Sequence, residues 1–220
     1  CKSEAYAGLA RNSNEMKLIH STRDVVIHAS PYIRGHVLDA GGVLAAKYKS
    51  LILANAEKYT CLDASAGGHV DVTGDILHMP FENVSFDTVL CNQVLEHVPD
   101  PERLMREISR VLRSGGHAII TTPFMQPIHA DPGDFFRYTP EGIAAIAGRH
   151  AFMVVEKGRY GGIWVLVSSF LKFIFFDPYK KQSRIKKAVF RRIDASLLWL
   201  DRWTHPRRVF SDSYAILKKQ

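Results

Sequence analysis

The stretch 37-VLDAGGVLAA-46 decides how the rest of the chain is read. An apolar run ends at Asp39, and Gly41 and Gly42 follow at once, the pattern of a buried strand feeding a tight turn. A strand, an acid and a glycine turn open the nucleotide-binding α/β folds. Val43 and Ala45 then stand where such a turn carries further glycines. Glycine at those positions allows positive φ and close backbone approach to a pyrophosphate. The loop therefore reads as a modified nucleotide loop, with its tight turn one residue early at Gly41-Gly42.

Outward from this stretch, short apolar runs alternate with helical patterns, which predicts βα units around a mostly parallel sheet. Strands are expected at His36–Asp39, Tyr59–Leu62, Val70–Val72, Phe86–Cys91, His117–Thr122, Phe152–Glu156 and Ser213–Leu217. In 100-DPERLMREISRVLRSGG-116, Asp100 caps a helix and Pro101 suits its first turn. Leu104, Ile108, Val111 and Leu112 share one face, and Gly115 is placed to end the helix in a left-handed conformation. The stretch 139-TPEGIAAIAGRH-150 repeats this logic, with Thr139 as cap and Gly148 as stop.

The 220 residues suffice for one large domain, and 46% hydrophobic with 23% charged residues implies a folded core. The divisions expected are an N-terminal helical segment (1–34), a cofactor-binding core (35–160), a helical insertion (161–209) and a last strand (210–220). The net charge of +7 is concentrated between Lys172 and Arg208, where 11 Lys/Arg face 3 Asp/Glu; the remainder is close to neutral. Cys1, Cys61 and Cys91 are scattered, as expected for reduced thiols in a cytoplasmic protein. The opening CKSEAYAGLARN has no apolar signal core, and its lack of an initiator Met points to a trimmed N-terminus. The longest apolar run, 162-GIWVLVSSFLKFIFF-176, falls short of the roughly 20 residues of a membrane-spanning helix.

The candidate site residues lie at strand ends, outside which ligands bind in such sheets. Asp63 closes the second strand. A carboxylate there suits both hydroxyls of a ribose, being acceptor-only; alternatively it caps a turn. Asp75, followed by Ile76, suits an exocyclic amine with an apolar contact to a purine face, or again a turn. Asn92 and Gln93 end the fourth strand and face the cleft. Glu96 and His97 invite an acid–base reading, but the reading preferred puts both on a helix surface near the cleft. No metal-ligand spacing stands out, because the histidines are dispersed and the cysteines far apart.

Taken together, VLDAGG, CLDAS, GDILHMPFENVSFDTVLCNQVLEHVPDP and REISRVLRSGGHAIITTPF resemble the class I S-adenosylmethionine-dependent methyltransferases of the small "type 11" kind. The resemblance runs from about Gly35 to Gly162. The block 127-PIHADPGDFFRYTPEGI-143 is similar to a subgroup associated with glycan and cell-envelope biosynthesis. The resemblance implies a doubly wound, Rossmann-like α/β fold with a seven-stranded, mostly parallel sheet. Its last strand would be antiparallel, with a helical insertion before it. It implies S-adenosyl-L-methionine as cofactor. Asp39 and Gly41, with Gly42 in the turn, would lie beside the methionine part. Asp63 would hold the ribose, Ala64 would pack on adenine, Asp75 and Ile76 would read its edge, and Asn92 and Gln93 would lie near the sulfonium.

Methyl transfer from a sulfonium is an in-line displacement in which alignment lowers the barrier by roughly 7–11 kcal/mol. A hydroxyl acceptor also gains from a base. The block after strand five offers His129, Asp131, Asp134, Arg137 and Tyr138. His129 has the intrinsic pKa of a base, and Arg137 has the planar fork to grip an acceptor carboxylate or phosphate. The competing reading pairs Asp134 with Arg137 to hold the loop. The expected acceptor is a small molecule or glycan precursor, methylated at oxygen; the alternative is a non-catalytic cofactor-fold protein acting as a binding or membrane-associated partner.

The insertion reads as two helices. It either covers the acceptor pocket or makes peripheral membrane contact through 162–208, since Lys/Arg beside Trp/Phe/Leu suits anionic lipid. Nucleic acid ranks below both. The basic charge is confined to one segment, and the strand-four end Asn-Gln-Val-Leu differs from the Asn-Pro-Pro-aromatic run of adenine amino-methyltransferases.

Overall fold

The computed structural model describes residues 19–42, 48–129, 133–176, 183–204 and 209–220. Seven strands form one sheet: β1 (His36–Ala40), β2 (Lys58–Asp63), β3 (Val72–Thr73), β4 (Phe86–Asn92), β5 (Leu112–Pro123), β6 (Phe152–Tyr160) and β7 (Asp212–Lys219). Their order is β3-β2-β1-β4-β5-β7-β6. The pairs from β3 to β5 are parallel, and β7 runs antiparallel to both β5 and β6. The expected α/β fold, with its antiparallel last strand, is therefore present. The chain reverses its winding direction between β1 and β4, and this switch point leaves a crevice outside their carboxyl ends.

The helices are α1 (Thr22–His28), α2 (Lys49–Leu53), α3 (Pro101–Val111), α4 (Pro140–Ala147), α5 (Ile163–Phe175) and α6 (Arg184–Thr204). The caps read from the sequence are in place. Asp100 accepts from Arg103 N at 3.0 Å, and Thr139 Oγ1 accepts from Gly142 N at 3.0 Å. Leu104, Ile108, Val111 and Leu112 are fully buried, which contributes about 1.5–3 kcal/mol for each such side chain. One buried cluster joins α3 and α4 to one sheet face. A second joins Val25, Val26 and Ile52 to Val37, Leu90, Ile119 and Ile216.

Several boundaries differ from the sequence reading: β5, β6 and β7 all run beyond their expected ends, β6 as far as Tyr160, and the two largest changes of assignment lie elsewhere. The helix expected over 100–116 ends at Val111, and Leu112 already pairs with Phe86 of β4. Gly115 does adopt a positive φ of 77°, but within the start of β5, where the register shifts between Phe86 and Thr88. Tertiary pairing there overrides helix propensity. The third strand is only Val72–Thr73, because its contact with β2 spans two register positions.

The insertion forms the two expected helices. Asp201 of α6, nearly fully buried, accepts from Gly162 N at 3.0 Å and Trp164 N at 3.1 Å. It thus caps α5 in trans, since Gly162 brings no side chain of its own. Asp201 also bonds His20 Nδ1 at 3.0 Å, tying the insertion to the segment before α1. Among the described residues, no helix is long and apolar enough to cross a membrane.

Candidate active site

The carboxyl end of β1 carries the first group. Asp39 is buried and accepts from Tyr59 Oη at 2.9 Å, while its Oδ1 is buried without a hydrogen bond. Burial pushes its carboxyl up to about 7, with the Tyr59 bond opposing and the Asp63 charge adding. Gly41 follows with φ 79° and donates to Leu62 O at 2.8 Å, a conformation an L-residue adopts at a cost. A Cβ on Gly42 would stand 2.7 Å from Asp39 Cγ and 2.8 Å from Cys61 Sγ. Both glycines are thus required by local packing, which explains why they survive in a glycine-poor loop. Val43 and Ala45 lie outside the described residues.

Asp63 sits at the end of β2, neighbouring the crevice, and its Oδ1 accepts from Ser65 N at 2.9 Å. Ala64 beside it is exposed. Asp75 accepts from Leu77 N at 2.8 Å and from His78 Nδ1 at 3.0 Å. The backbone bond from Leu77 is the main cause holding its carboxyl below the usual range. Ile76 packs on the core cluster beneath this turn. The turn role weighed for Asp75 is therefore real, and it fixes the carboxylate at the rim.

Asn92 closes β4. Its Oδ1 accepts from Thr121 Oγ1 at 3.1 Å, and its buried Nδ2 has no partner. Gln93 holds a left-handed φ of 57°, rare for a side-chain-bearing residue and typical of functional turns. Its Nε2 donates to Tyr160 Oη at 3.0 Å and to Asp212 Oδ1 at 3.2 Å. Gln126 Nε2 also donates to Asp212, at 3.3 Å. A polar network thus spans the ends of β4, β5 and β6 and the start of β7.

The segment beyond Gln93 corrects the sequence reading. Glu96 is not on a helix surface: it lies in a single 3-10 turn, Leu95–His97, and is completely buried. Its Oε2 accepts from Thr122 Oγ1 at 3.2 Å, and its Oε1 has no hydrogen-bond partner. Burial pushes this carboxyl up to about 7. His97 Nε2 stands 3.6 Å from Oε1. His129 reaches the same place from beyond β5, its ring centroid 5.1 Å from that of His97. Arg137 forms a two-pronged pair with Asp134, one prong at 2.7 Å, and that guanidinium holds the Asp134 carboxyl well below the usual range. Asp134 Oδ2 also accepts from His129 N at 2.9 Å. The loop-holding pair weighed for these residues is formed. Asp131 lies outside the described residues. Phe124, Ile128, Phe135, Phe136 and Arg137 line an open pocket of about 360 Å³ beside this loop.

Sequence reasoning missed Tyr59, Asp212, and the meeting of Glu96, His97 and His129. An acid inside the apolar run VLEHV was the available signal. Long-range pairing of β4 with β5 brings His129 to it, and no local spacing encodes that.

Residues 38–120 match the family model of a methyltransferase domain. The ubiquinone biosynthesis O-methyltransferase of Xanthomonas oryzae pv. oryzae is 47% identical over 38 residues, 17% of this chain and 16% of the relative. Matched segments span less than a third of the length of such curated relatives. A SAM-dependent methyltransferase from Archaeoglobus fulgidus superposes with TM-score 0.60 at 16% identity, covering 90% of this chain and 92% of that one. The [4+2]-cyclase SpnF superposes with TM-score 0.62 at 18% identity, covering 90% and 80%. Residues 38–120 thus resemble a methyltransferase domain, and the chain as a whole shares the fold of a solved S-adenosylmethionine-dependent methyltransferase.

Proposed function

We propose that this chain transfers a methyl group from S-adenosylmethionine to a hydroxyl of a small molecule, with a glycan precursor as the favoured acceptor class. The observation that carries the reading is the crevice between β1 and β4. Asp39 Oδ1 and Asn92 Nδ2 are buried there without partners, and Asp63 ends the neighbouring strand. Buried polar atoms of native proteins are almost always satisfied, so an orphan acceptor and an orphan donor at a switch-point crevice suit a polar ligand. Asp63 would take the ribose hydroxyls, and Ala64 and Ile76 would flank the adenine. Asp75 would accept from its amine. Asp39, Gly41 and Gly42 would hold the methionine end, with Asn92 and Gln93 beneath the reacting carbon.

The bound cofactor supplies a methyl carbon activated by a positively charged sulfur. The chain's own task is alignment and exclusion of water. Phe124, Phe135 and Phe136 offer an apolar wall for the acceptor. His129, exposed and next in sequence to the pocket-lining Ile128, is the proposed proton acceptor, and Asp131 follows in the same block. Both terminal nitrogens of Arg137 are engaged by Asp134 and by the carbonyls of Phe136 and Pro127, so its Nε–H would be the group offered to an anionic acceptor, at a net charge reduced by Asp134.

Calorimetric titration with S-adenosylmethionine and S-adenosylhomocysteine, with Asp63→Ala as control, tests the cofactor half. Micromolar binding lost in the variant is expected; no binding at millimolar ligand would sink the reading. A screen of sugar nucleotides and small hydroxylated acceptors tests the rest, and cofactor binding without turnover would favour a non-catalytic role.

A second reading concerns location. Ile185, Val189, Trp199 and Trp203 lie on one face of α6 and are 78%, 53%, 58% and 74% exposed, among the Lys and Arg of the insertion. Such a face suits an anionic bilayer surface. Cosedimentation with phosphatidylserine vesicles, absent with neutral ones and lost in Trp199→Ser/Trp203→Ser, is the expected result. Equal recovery with and without vesicles refutes it.

A further inference from the structure

Glu96, His97 and His129 bring three ligand atoms within 4.8 Å of one another, and we propose that they bind a zinc or other divalent transition-metal ion beside the acceptor pocket. Four features support a built site. Glu96 is fully buried, yet its Oε1 has no hydrogen bond. An ionised carboxylate in such a place is costly unless a cation or a full set of donors meets it. His97 Nε2, at 3.6 Å, is the nearest ring nitrogen and lies beyond hydrogen-bond distance.

The second feature is the state of the two imidazoles. His97 Nδ1 bonds the carbonyl of Gly133, and His129 Nδ1 bonds that of Pro127 at 3.0 Å. A carbonyl accepts only, so in each ring Nδ1 carries the hydrogen, and in the neutral imidazole Nε2 then carries the lone pair. Metal-binding histidines are held in this way, with the remote nitrogen donating to a carbonyl. The third feature is that Glu96 is itself oriented from behind, its Oε2 accepting from Thr122 Oγ1 at 3.2 Å. The fourth is neutralisation. With His97 neutral, Arg137 is the remaining cation whose field reaches Glu96, and Asp134 is paired to it.

Two imidazoles and one carboxylate select zinc or a first-row transition ion over magnesium, which prefers all-oxygen ligands and retains its waters. Ligand bonds of about 2.1 Å need a tighter triangle than the present one. The contraction falls on His129, the exposed member. Three protein ligands leave a position open, as in catalytic zinc sites.

The position of the site suggests its use, which, unlike the site itself, rests on the methyl-transfer reading. Glu96 and His97 follow β4 and His129 follows β5, beyond the carboxyl ends of these central strands, where an acceptor would meet the cofactor. With the metal bound, His129 would serve as a ligand in place of its role as proton acceptor; a hydroxyl on the open position would be acidified and would release its proton to water. Its oxygen lone pair would then form the C–O bond as the C–S bond breaks, the electron pair passing to sulfur.

The test uses the chelator-treated full chain without cofactor or acceptor, so it is independent of methyl transfer. Titration with Co²⁺, Zn²⁺, Mn²⁺ and Mg²⁺ should give one Co²⁺ per chain, with visible absorption bands of nitrogen–oxygen coordination. Zn²⁺ should displace it, and Mg²⁺ should bind at least tenfold more weakly. His129→Ala, an exposed change that leaves the core intact, should weaken Co²⁺ binding at least tenfold. Glu96→Gln should do the same, with melting temperature as a fold control. Absence of saturable binding by Co²⁺, Zn²⁺ or Mn²⁺, or binding unchanged in His129→Ala, overturns the site.

Discussion

Tyr59 hands its hydroxyl hydrogen to Asp39 Oδ2 at 2.9 Å across the β2–β1 pair. Asp39 stands opposite Cys61 in the register, so Tyr59 reaches it diagonally from the next same-face position. The other Asp39 oxygen is buried and unbonded. This side chain therefore enters the fold at an electrostatic cost, which a ligand donor would offset.

The cost has a pH signature. Burial lifts the Asp39 carboxyl from 3.8 to about 7, and the same cause lifts Glu96 from 4.5 to about 7. In this window the unfolded chain has released protons that the folded chain retains. Stability from these groups is therefore fully present below about pH 4 and declines as pH rises through 7. Asp39→Asn should flatten the decline partly, with Glu96 keeping the remainder. Urea unfolding at pH 5 and pH 8 measures it. Tyr59→Phe should destabilise by about 1–3 kcal/mol at pH 8 and by less at pH 5. Equal slopes in Asp39→Asn and the parent would refute this account of Asp39.

Gly41 and Gly42 should tolerate no side chain, for different reasons. At Gly41 the backbone is left-handed, and a Cβ would meet Val94 Cγ2 at 2.4 Å. At Gly42 the obstruction is Asp39 and Cys61 themselves, so Gly42→Ala must displace the acid. Each alanine should lower stability by about 1–3 kcal/mol and weaken cofactor binding at least tenfold. A Gly42→Ala protein with unchanged melting and binding would show that Asp39 does not need its present position.

Cys61 and Cys91 are buried free thiols. Burial is the leading cause that pushes Cys61 up to about 11 and Cys91 higher still, so little thiolate exists at pH 8. Neither should react with a thiol reagent in the folded chain within the time that a denatured sample takes to react completely. Cofactor should slow any residual Cys61 reaction, because Cys61 packs under the Gly42 turn.

The parts of this molecule legible in the sequence are those encoded locally. VLDAGG reads as strand and turn, because the apolar run and the left-handed glycine are consecutive. Asp100-Pro101 and Thr139-Pro140 read as caps for the same reason. Gly115 misled because a left-handed glycine fits a helix end and a strand irregularity alike; only pairing of Leu112 with Phe86 decides. Glu96 misled because a glutamate is ordinarily at the surface, whereas Thr122, distant in sequence, supplies its bond in the interior. The network from Gln93 to Asp212 was invisible, since its members are 67 and 119 positions apart along the chain.

Arg137 is where the two sequence readings divide, and a coupling measurement separates them. Its guanidinium pairs with Asp134 at both carboxylate oxygens, and the Asp134 side chain is only 2% exposed. If the pair chiefly holds the loop, Arg137→Ala and Asp134→Ala should each destabilise, and the double variant should cost less than their sum. A coupling on the order of 1–3 kcal/mol is expected for a charge-assisted pair. Because the folded Asp134 carboxyl is depressed, this contribution is present above about pH 4 and is lost as pH falls further, opposite in sign to that of Asp39. If Arg137 also grips an anionic acceptor, Arg137→Lys should keep part of the Asp134 pairing while raising KM at least tenfold, since an ammonium that pairs with Asp134 has no Nε–H left at the acceptor's position. An unchanged KM in Arg137→Lys would confine the residue to its loop-holding role.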